Sequence, residues 1–412
     1  MVSVMKTKSP LLKIIVGCAG LGSAYLLASP AISRKCKNQD SQKCNHHNCD
    51  IAAKTPGTLL AIEEQSTDLF PHAAQRFLIT YRSRGIHSEP IVVSGFVLLP
   101  QGKPPRGGWP VLAWAHGTTG VADTCAPSGD YVGGPVHAYQ ELASKPLDAW
   151  LAQGYAVVAT DYQGLGTPGK HPYMNAQSQL HTVVDSVRAL HFLKPYHFNR
   201  KWYVMGHSQG GAAALMVAAH GQKDAPELKL RGALVVAPGG YQYEGIAQYA
   251  ALHPQIEKSV VAFLPIVLLG AEAADPSLNI MNLLSPEMAQ IVNYARNHGL
   301  SELQADVKEA PQTVFKPDAD LNPLIEYSKK QSIENMIPTV PVMIVQGNKD
   351  QIVDYQGTHA YYQLMCTKQK PIAFKTVEGA DHHGSLRQSQ FMVEDFINSV
   401  EQGKFMSTCE TN

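Results

Sequence analysis

Twenty residues, 201–220, constrain this chain more than any other stretch. They read Lys-Trp-Tyr-Val-Met-Gly-His-Ser-Gln-Gly-Gly and then run on rich in Ala. Residues 202–205 are apolar β-formers, the pattern of a buried strand, and 212–220 have the composition of a helix. Between them Gly206-His207-Ser208-Gln209-Gly210 spells G-x-S-x-G. A strand that reverses into a helix this sharply forces the central Ser into a strained conformation, its hydroxyl raised above the sheet. Gly206 and Gly210 carry no Cβ, so neighbouring backbone can come close. The helix that follows turns its positive end toward the same point and favours developing negative charge.

The surrounding chain alternates strands with helices. Residues 75–81 and 91–99 read as an opening hairpin about a turn at Arg84-Gly85, and 100–110, with four Pro and three Gly, as a surface loop. Strands are expected at 111–115, 155–160 and 230–237, with helices at 147–153 and 178–193. This alternation implies a mostly parallel sheet covered on both faces, with ligands bound outside the carboxyl ends of the strands. The fold reading is therefore α/β: an α/β-hydrolase-like sheet with helices on both faces. The alternation stops near Pro238 and resumes with a strand at 340–346, far longer than an ordinary connection. Helices at 241–252, 285–297 and 303–308, and an apolar run at 260–269 broken by Pro265, make the interval a helical lid or cap. That run reads either as the core helix of the helical subdomain or as part of a cap whose apolar residues, Leu264 and Leu268 among them, face an acyl cleft.

A serine nucleophile needs a base, and the base needs an orienting carboxylate. In this fold class they follow in the order Ser, Asp or Glu, His. Asp350 follows the strand at 341–346 within Gly347-Asn348-Lys349-Asp350, and Asp354 is its rival four residues on. After the strand at 372–377 comes Gly379-Ala380-Asp381-His382-His383-Gly384, whose imidazoles are the candidate bases. In an extended loop the two would point opposite ways. The oxyanion of a tetrahedral intermediate needs about two fixed N–H donors. The amide after the nucleophile, Gln209, is one. The loop 116–120 after an early strand supplies the other, Thr118 with Thr119 as alternative, while His116 reads as a structural brace.

The N-terminus has a different character. Lys6, Lys8 and Lys13 precede apolar residues 14–32 that end in small side chains, the layout of a signal peptide cleaved after Ala31. An uncleaved anchor and a lipoprotein signal at Cys18 are the alternatives. Each takes the folded part out of the cytoplasm. Without Cys18 six cysteines remain, an even set that suits an oxidising compartment. Cys36, Cys44 and Cys49, with His46 and His47 among them, read as a cross-linked tether, with a zinc site as the competing reading. Lys and Arg together balance Asp and Glu at 34 each, and no basic cluster is present, which argues against a nucleic-acid partner. The expected layout is 1–31 signal or anchor, 32–57 tether, 58–238 and 330–412 core, and 239–329 lid.

Taken together, several stretches resemble the secretory lipase family, the yeast lipase A type of α/β-hydrolase. They are Ala113-Trp-Ala-His-Gly-Thr-Thr-Gly with Cys125-Ala-Pro-Ser, Asp161-Tyr-Gln-Gly-Leu-Gly-Thr-Pro-Gly, Gly206-His-Ser-Gln-Gly-Gly, Val345-Gln-Gly-Asn-Lys-Asp350 and Gly379-Ala-Asp-His382. The resemblance implies Ser208, Asp350 and His382 as the triad, with His383 a neighbour at the cleft rim. It implies fatty-acid esters as the substrate class, no cofactor or bound metal, and the insertion as a lid able to touch a lipid interface. It also implies a Cys366–Cys409 disulfide. The Cys-rich leader has no counterpart in that family, and Cys125 has no obvious partner. An acyltransferase with the same triad, or a non-catalytic binding protein on a hydrolase scaffold, are the other functions these residues allow.

Overall fold

The computed structural model describes residues 55–253 and 258–409. The signal or anchor segment and the tether from Cys36 to Cys49, with its zinc alternative, lie outside the described residues. Nine strands form one sheet: β1 (Leu59–Gln65), β2 (Ala73–Arg84), β3 (Pro90–Pro100), β4 (Trp109–Ala115), β5 (Ala156–Thr160), β6 (Phe198–His207), β7 (Lys229–Val236), β8 (Val342–Gly347) and β9 (Ile372–Val377). Their order is β1-β2-β3-β5-β4-β6-β7-β8-β9. The first three and the β3–β5 pair are antiparallel, and every other pair is parallel.

Period-two alternation along the central strands divides their side chains between two cores. In β4, Val111, Ala113 and Ala115 face one side, and Leu112 and Trp114 the other. In β6, Trp202 and Val204 oppose Tyr203 and Met205; in β7, Ala233 and Val235 oppose Leu234 and Val236. Helices α1 (His137–Ala152), α2 (Ala176–Leu190) and α3 (Gln209–Asp224) follow β4, β5 and β6. The order in which strands are added reverses at β4: β5 lies on one side of it and β6 on the other, all three parallel. The carboxyl ends of β4 and β6 therefore open onto the crevice where α/β sheets bind ligands.

Between β7 and β8 the chain builds α4 (Gly245–Leu252), α5 (Lys258–Ala274), α6 (Ile280–Leu283), α7 (Pro286–Ala295), α8 (Leu300–Asp306) and α9 (Asn322–Gln331). After β8 come α10 (Tyr355–Thr367), α11 (His382–Ser389) and α12 (Val393–Glu401). The apolar run expected to break at Pro265 continues through it as α5. Proline in a helix interior costs about 3 kcal/mol. Burial of Val261, Leu264, Ile266 and Leu268, each at most 1% exposed, offsets that cost. The last insertion helix, α9, runs across the 329/330 boundary read from the sequence. Strand β1 was not anticipated: it is an edge strand exposed along most of its length, and Glu63 and Glu64 disguise it.

Cys366 and Cys409 are bonded, with their Cα atoms 5.5 Å apart, which ties α10 to the C-terminal tail. Cys125 is free among the described residues, where an even set of cysteines suggested full pairing. Its sulfur is buried against Gly120 and Gly299, and a Cβ at either glycine would stand within 3.1 Å of it.

Candidate active site

The elbow is built from backbone that leaves no room for side chains. A Cβ on Gly206 would lie 1.9 Å from the Gly210 carbonyl oxygen, and one on Gly210 would lie 1.8 Å from that of Ala115. Ser208 has φ 58° and ψ −117°, a region that L-residues rarely occupy and that costs on the order of 1–3 kcal/mol. Hydrogen bonds over-determine it. Its N–H donates to Val236 O at 2.9 Å, and its carbonyl accepts from Gly211 N at 2.9 Å and Gly239 N at 3.1 Å.

The loops that carry Asp350 and His382 are bound to each other. A Cβ on Gly347 would sit 2.1 Å from the Ala380 carbonyl oxygen, so only glycine lets the base loop cross there. Gly347 N donates to Ser385 Oγ, Lys349 N to Ala380 O, and Gly379 N to Asn348 Oδ1. His382 Nδ1 stands 2.7 Å from Asp350 Oδ2, and the two side chains are 6% and 0% exposed. Asp350 Oδ1 also accepts from Ile352 N and Val353 N, both at 2.9 Å, and Oδ2 accepts from Gln346 Nε2. An acceptor-only carboxylate assigns the proton to His382 Nδ1 and leaves Nε2 as the basic nitrogen. Asp354 instead caps α10, where its side chain accepts from Gln356 N and Gly357 N.

His382 and His383 do not lie in an extended loop. They open α11, capped by Asp381. Helical spacing, unlike the opposed directions of an extended chain, lets both imidazoles line one cavity, with ring centroids 5.9 Å apart. His382 is buried and paired with Asp350, whereas His383 is exposed.

Two cavities meet at Ser208. One of about 280 Å³ holds His382 and Thr118 and is walled by Tyr139, Leu142 and Leu300. The other, of about 450 Å³, runs beneath α4 and α5 along Tyr173, Ile246, Leu264 and Val267. Phe263 and Ile352 border both. Leu264 thus faces the larger cavity as expected, while Leu268, one turn on, packs into the core. Gln209 begins α3 beside Ser208, and Thr118 is held by its hydroxyl, 2.8 Å from Tyr173 Oη. Neither the Thr118 nor the Gln209 N–H bonds to another described residue. Tyr139 and Tyr173 escaped the sequence reading, and the helix expected at 241–252 was read as lid without the residues that border the cavity, because their approach to Ser208 is made only by the folded chain.

Buried imidazoles brace these loops. Neutral His116 donates from Nδ1 to Gly117 O at 2.7 Å, the structural role expected of it. His171 donates from Nδ1 to Gln163 O and accepts from the Gln209 side chain at Nε2. Burial pushes His116 and His171 down to about 4, and burial followed by the nearby His382 and His383 rings holds His207 well below the usual histidine range. An unfolded chain protonates these groups near pH 6.5, while the folded chain leaves them neutral. Their contribution is therefore intact above pH ~6.5 and is lost as pH falls toward ~4, at roughly 3 kcal/mol each for His116 and His171. Urea midpoints are expected to be flat from pH 8 to 7 and to drop between about 6.5 and 5, above the range in which carboxylates titrate. A profile flat to pH 5 would mean that the folded protein binds these protons after all.

A sheet of this order, with a serine elbow, a paired Asp and His on successive late loops and a cap inserted between β7 and β8, defines an α/β-hydrolase. A family model for secretory lipases matches residues 141–393, and the chain belongs to that family. It is 26% identical over 241 residues to lipase 2 of Candida albicans, covering 52% of this chain and 48% of that protein. The chain thus spans about half the length of the Candida albicans lipases it matches. A Mycobacterium tuberculosis protein named a probable inactive lipase is 22% identical over 331 residues, 74% of this chain and 69% of that protein. Among solved structures, Candida antarctica lipase A superposes with a TM-score of 0.71 at 19% identity, covering 88% of this chain and 85% of that one. A rice cell wall degrading esterase from Xanthomonas oryzae gives 0.65 at 17%, covering 85% and 98%.

Proposed function

We propose that this protein hydrolyses carboxylic esters with apolar acyl groups, through a serine nucleophile and an acyl-enzyme. The observation that carries the reading is Ser208, strained at the junction of two cavities, one of which holds an imidazole whose Nδ1–H is committed to a buried carboxylate. In the forward step Ser208 Oγ attacks the ester carbonyl carbon, and His382 Nε2 takes the hydroxyl proton. The oxyanion is met by the Thr118 and Gln209 N–H groups and the N-terminus of α3. Collapse breaks the bond to the alcohol, which leaves with the proton from His382. Water, deprotonated by the same nitrogen, then releases the acid. The larger, apolar cavity suits the acyl chain, and the smaller one suits the alcohol, because His382 must reach the leaving oxygen.

The family and the disulfide support an exported enzyme, and the exposed Tyr249 and Leu252 of α4 offer a lipid surface an apolar contact. Because one relative carries the name of an inactive lipase, the first test is labelling with a serine-reactive phosphonate ester. Mass analysis is expected to place the adduct on Ser208; an unlabelled serine would favour a binding role on the same scaffold.

Chain-length dependence tests the cavity assignment. Val267→Trp fills the larger cavity and is expected to lower kcat/KM on p-nitrophenyl palmitate by about tenfold, the worth of roughly two buried methylenes, with acetate little changed. Equal losses on both esters would place the acyl chain elsewhere.

A further inference from the structure

His207 takes no part in the attack, yet its imidazole is 1% exposed and hydrogen-bonded at both nitrogens. Nε2 lies 3.3 Å from the main-chain carbonyl oxygen of His382. Nδ1 lies 3.1 Å from Tyr139 Oη, and that hydroxyl oxygen is 2.6 Å from the Gly117 nitrogen. The proton order along this chain is forced. A carbonyl only accepts, so Nε2 carries the hydrogen of the neutral ring, and Nδ1 accepts from the Tyr139 hydroxyl. The hydroxyl oxygen in turn accepts the Gly117 N–H.

Three loops are joined this way: the loop after β4 that carries Thr118, the elbow, and the start of α11 that carries His382. The packing leaves no slack. A Cβ on Gly117 would stand 2.7 Å from Tyr139 Oη and 3.1 Å from His207 Nδ1. The His207 ring stacks near Tyr139, centroids 5.9 Å apart at 22°, and lies 4.5 Å from the His382 ring.

We infer that Tyr139 and His207 form a positioning pair, which holds the His382 main chain and the Gly117 peptide in register with Ser208. The inference rests on the hydrolase reading above. The Asp350 bond orients the His382 side chain but leaves its backbone to be fixed, and a second anchor at the His382 carbonyl does that. The same chain fixes the N–H of the His116–Gly117 peptide, one peptide before the unit that carries the Thr118 N–H, so the loops of base and oxyanion donor share one anchor. A neutral His207 also adds no charge beside His382 when the latter becomes a cation in the intermediate.

Tyr139→Phe removes one oxygen, and His207→Phe keeps a ring without hydrogen bonds. Each is expected to lower kcat on a short p-nitrophenyl ester by about 10- to 100-fold with KM within about twofold, the cost of a misplacement near 1 Å. The double variant is expected to fall no further than the weaker single, because both cut one chain. His207→Gln, which can present an N–H where Nε2 stood, is expected to recover most of kcat. Losses that multiply, or that appear only in KM, would overturn the proposal, as would wild-type kcat in either single variant.

Proton NMR supplies a readout that needs no turnover. The downfield His382 Nδ1–H resonance is expected to shift in Tyr139→Phe, and an unmoved resonance in a folded variant counts against the pair. If the wild type shows that resonance and its shift but hydrolyses no ester, the hydrolase reading fails while the positioning pair stands.

Discussion

Ser208→Ala is expected to reduce ester hydrolysis by a factor on the order of 10⁴–10⁶ in kcat while leaving the protein folded. The exchange deletes one oxygen from a residue whose main chain is held by Val236, Gly211 and Gly239, so those contacts persist. What survives would be the assistance of the N–H donors to a water molecule. Thermal melting read beside kcat separates the two effects, and Ala at a positive φ is the only strain carried over. An enzyme that keeps a tenth of its rate would have its nucleophile elsewhere.

The second large effect separates two neighbours. His382→Ala removes the imidazole bonded to Asp350 and should lower kcat by about 10⁴-fold or more; His383→Ala should cost about tenfold at most. Both rings line the same cavity, so proximity alone does not choose between them. The bond to Asp350 does, because a base without an orienting acceptor at Nδ1 has neither its tautomer nor its angle fixed. Stopped assays of the two variants on one short-chain ester decide the matter. A silent His383→Ala beside an active His382→Ala would move the base by one residue.

The elbow was legible in the sequence because its chemistry is local: two glycines, a strand and a helix within twenty residues. Order along the chain and the neighbouring glycines pointed to Asp350 and to the loop 379–384, and only the family resemblance chose His382 over His383 there. Where the base loop becomes helix was harder to see. His-His-Gly-Ser has no helical pattern, and the start of α11 depends on the Asp381 cap and on Ser385 reaching Gly347. Tyr139 was beyond reach: it lies ahead of the helix expected at 147–153, although α1 begins at His137, and its partners stand 22 and 68 residues away. Cys125 illustrates the opposite failure, since counting cysteines said nothing of a sulfur used as packing between two glycines. The insertion was visible as a gap in the alternation, but the separation of Leu264 from Leu268 required its helix to be docked.

Leu300, which opens α8, donates its N–H to the Thr119 carbonyl at 2.8 Å, and Ser301 Oγ donates to Pro135 O. This part of the insertion is therefore fastened to the very loop that offers the Thr118 amide. For anyone grafting caps between relatives to change substrate range, the insertion is two parts with different rules. The α4–α5 portion can be exchanged to reshape the larger cavity, proposed above for the acyl chain, whereas a graft that replaces α8 must recreate a donor to Thr119 to keep the Thr118 N–H where the proposed mechanism needs it.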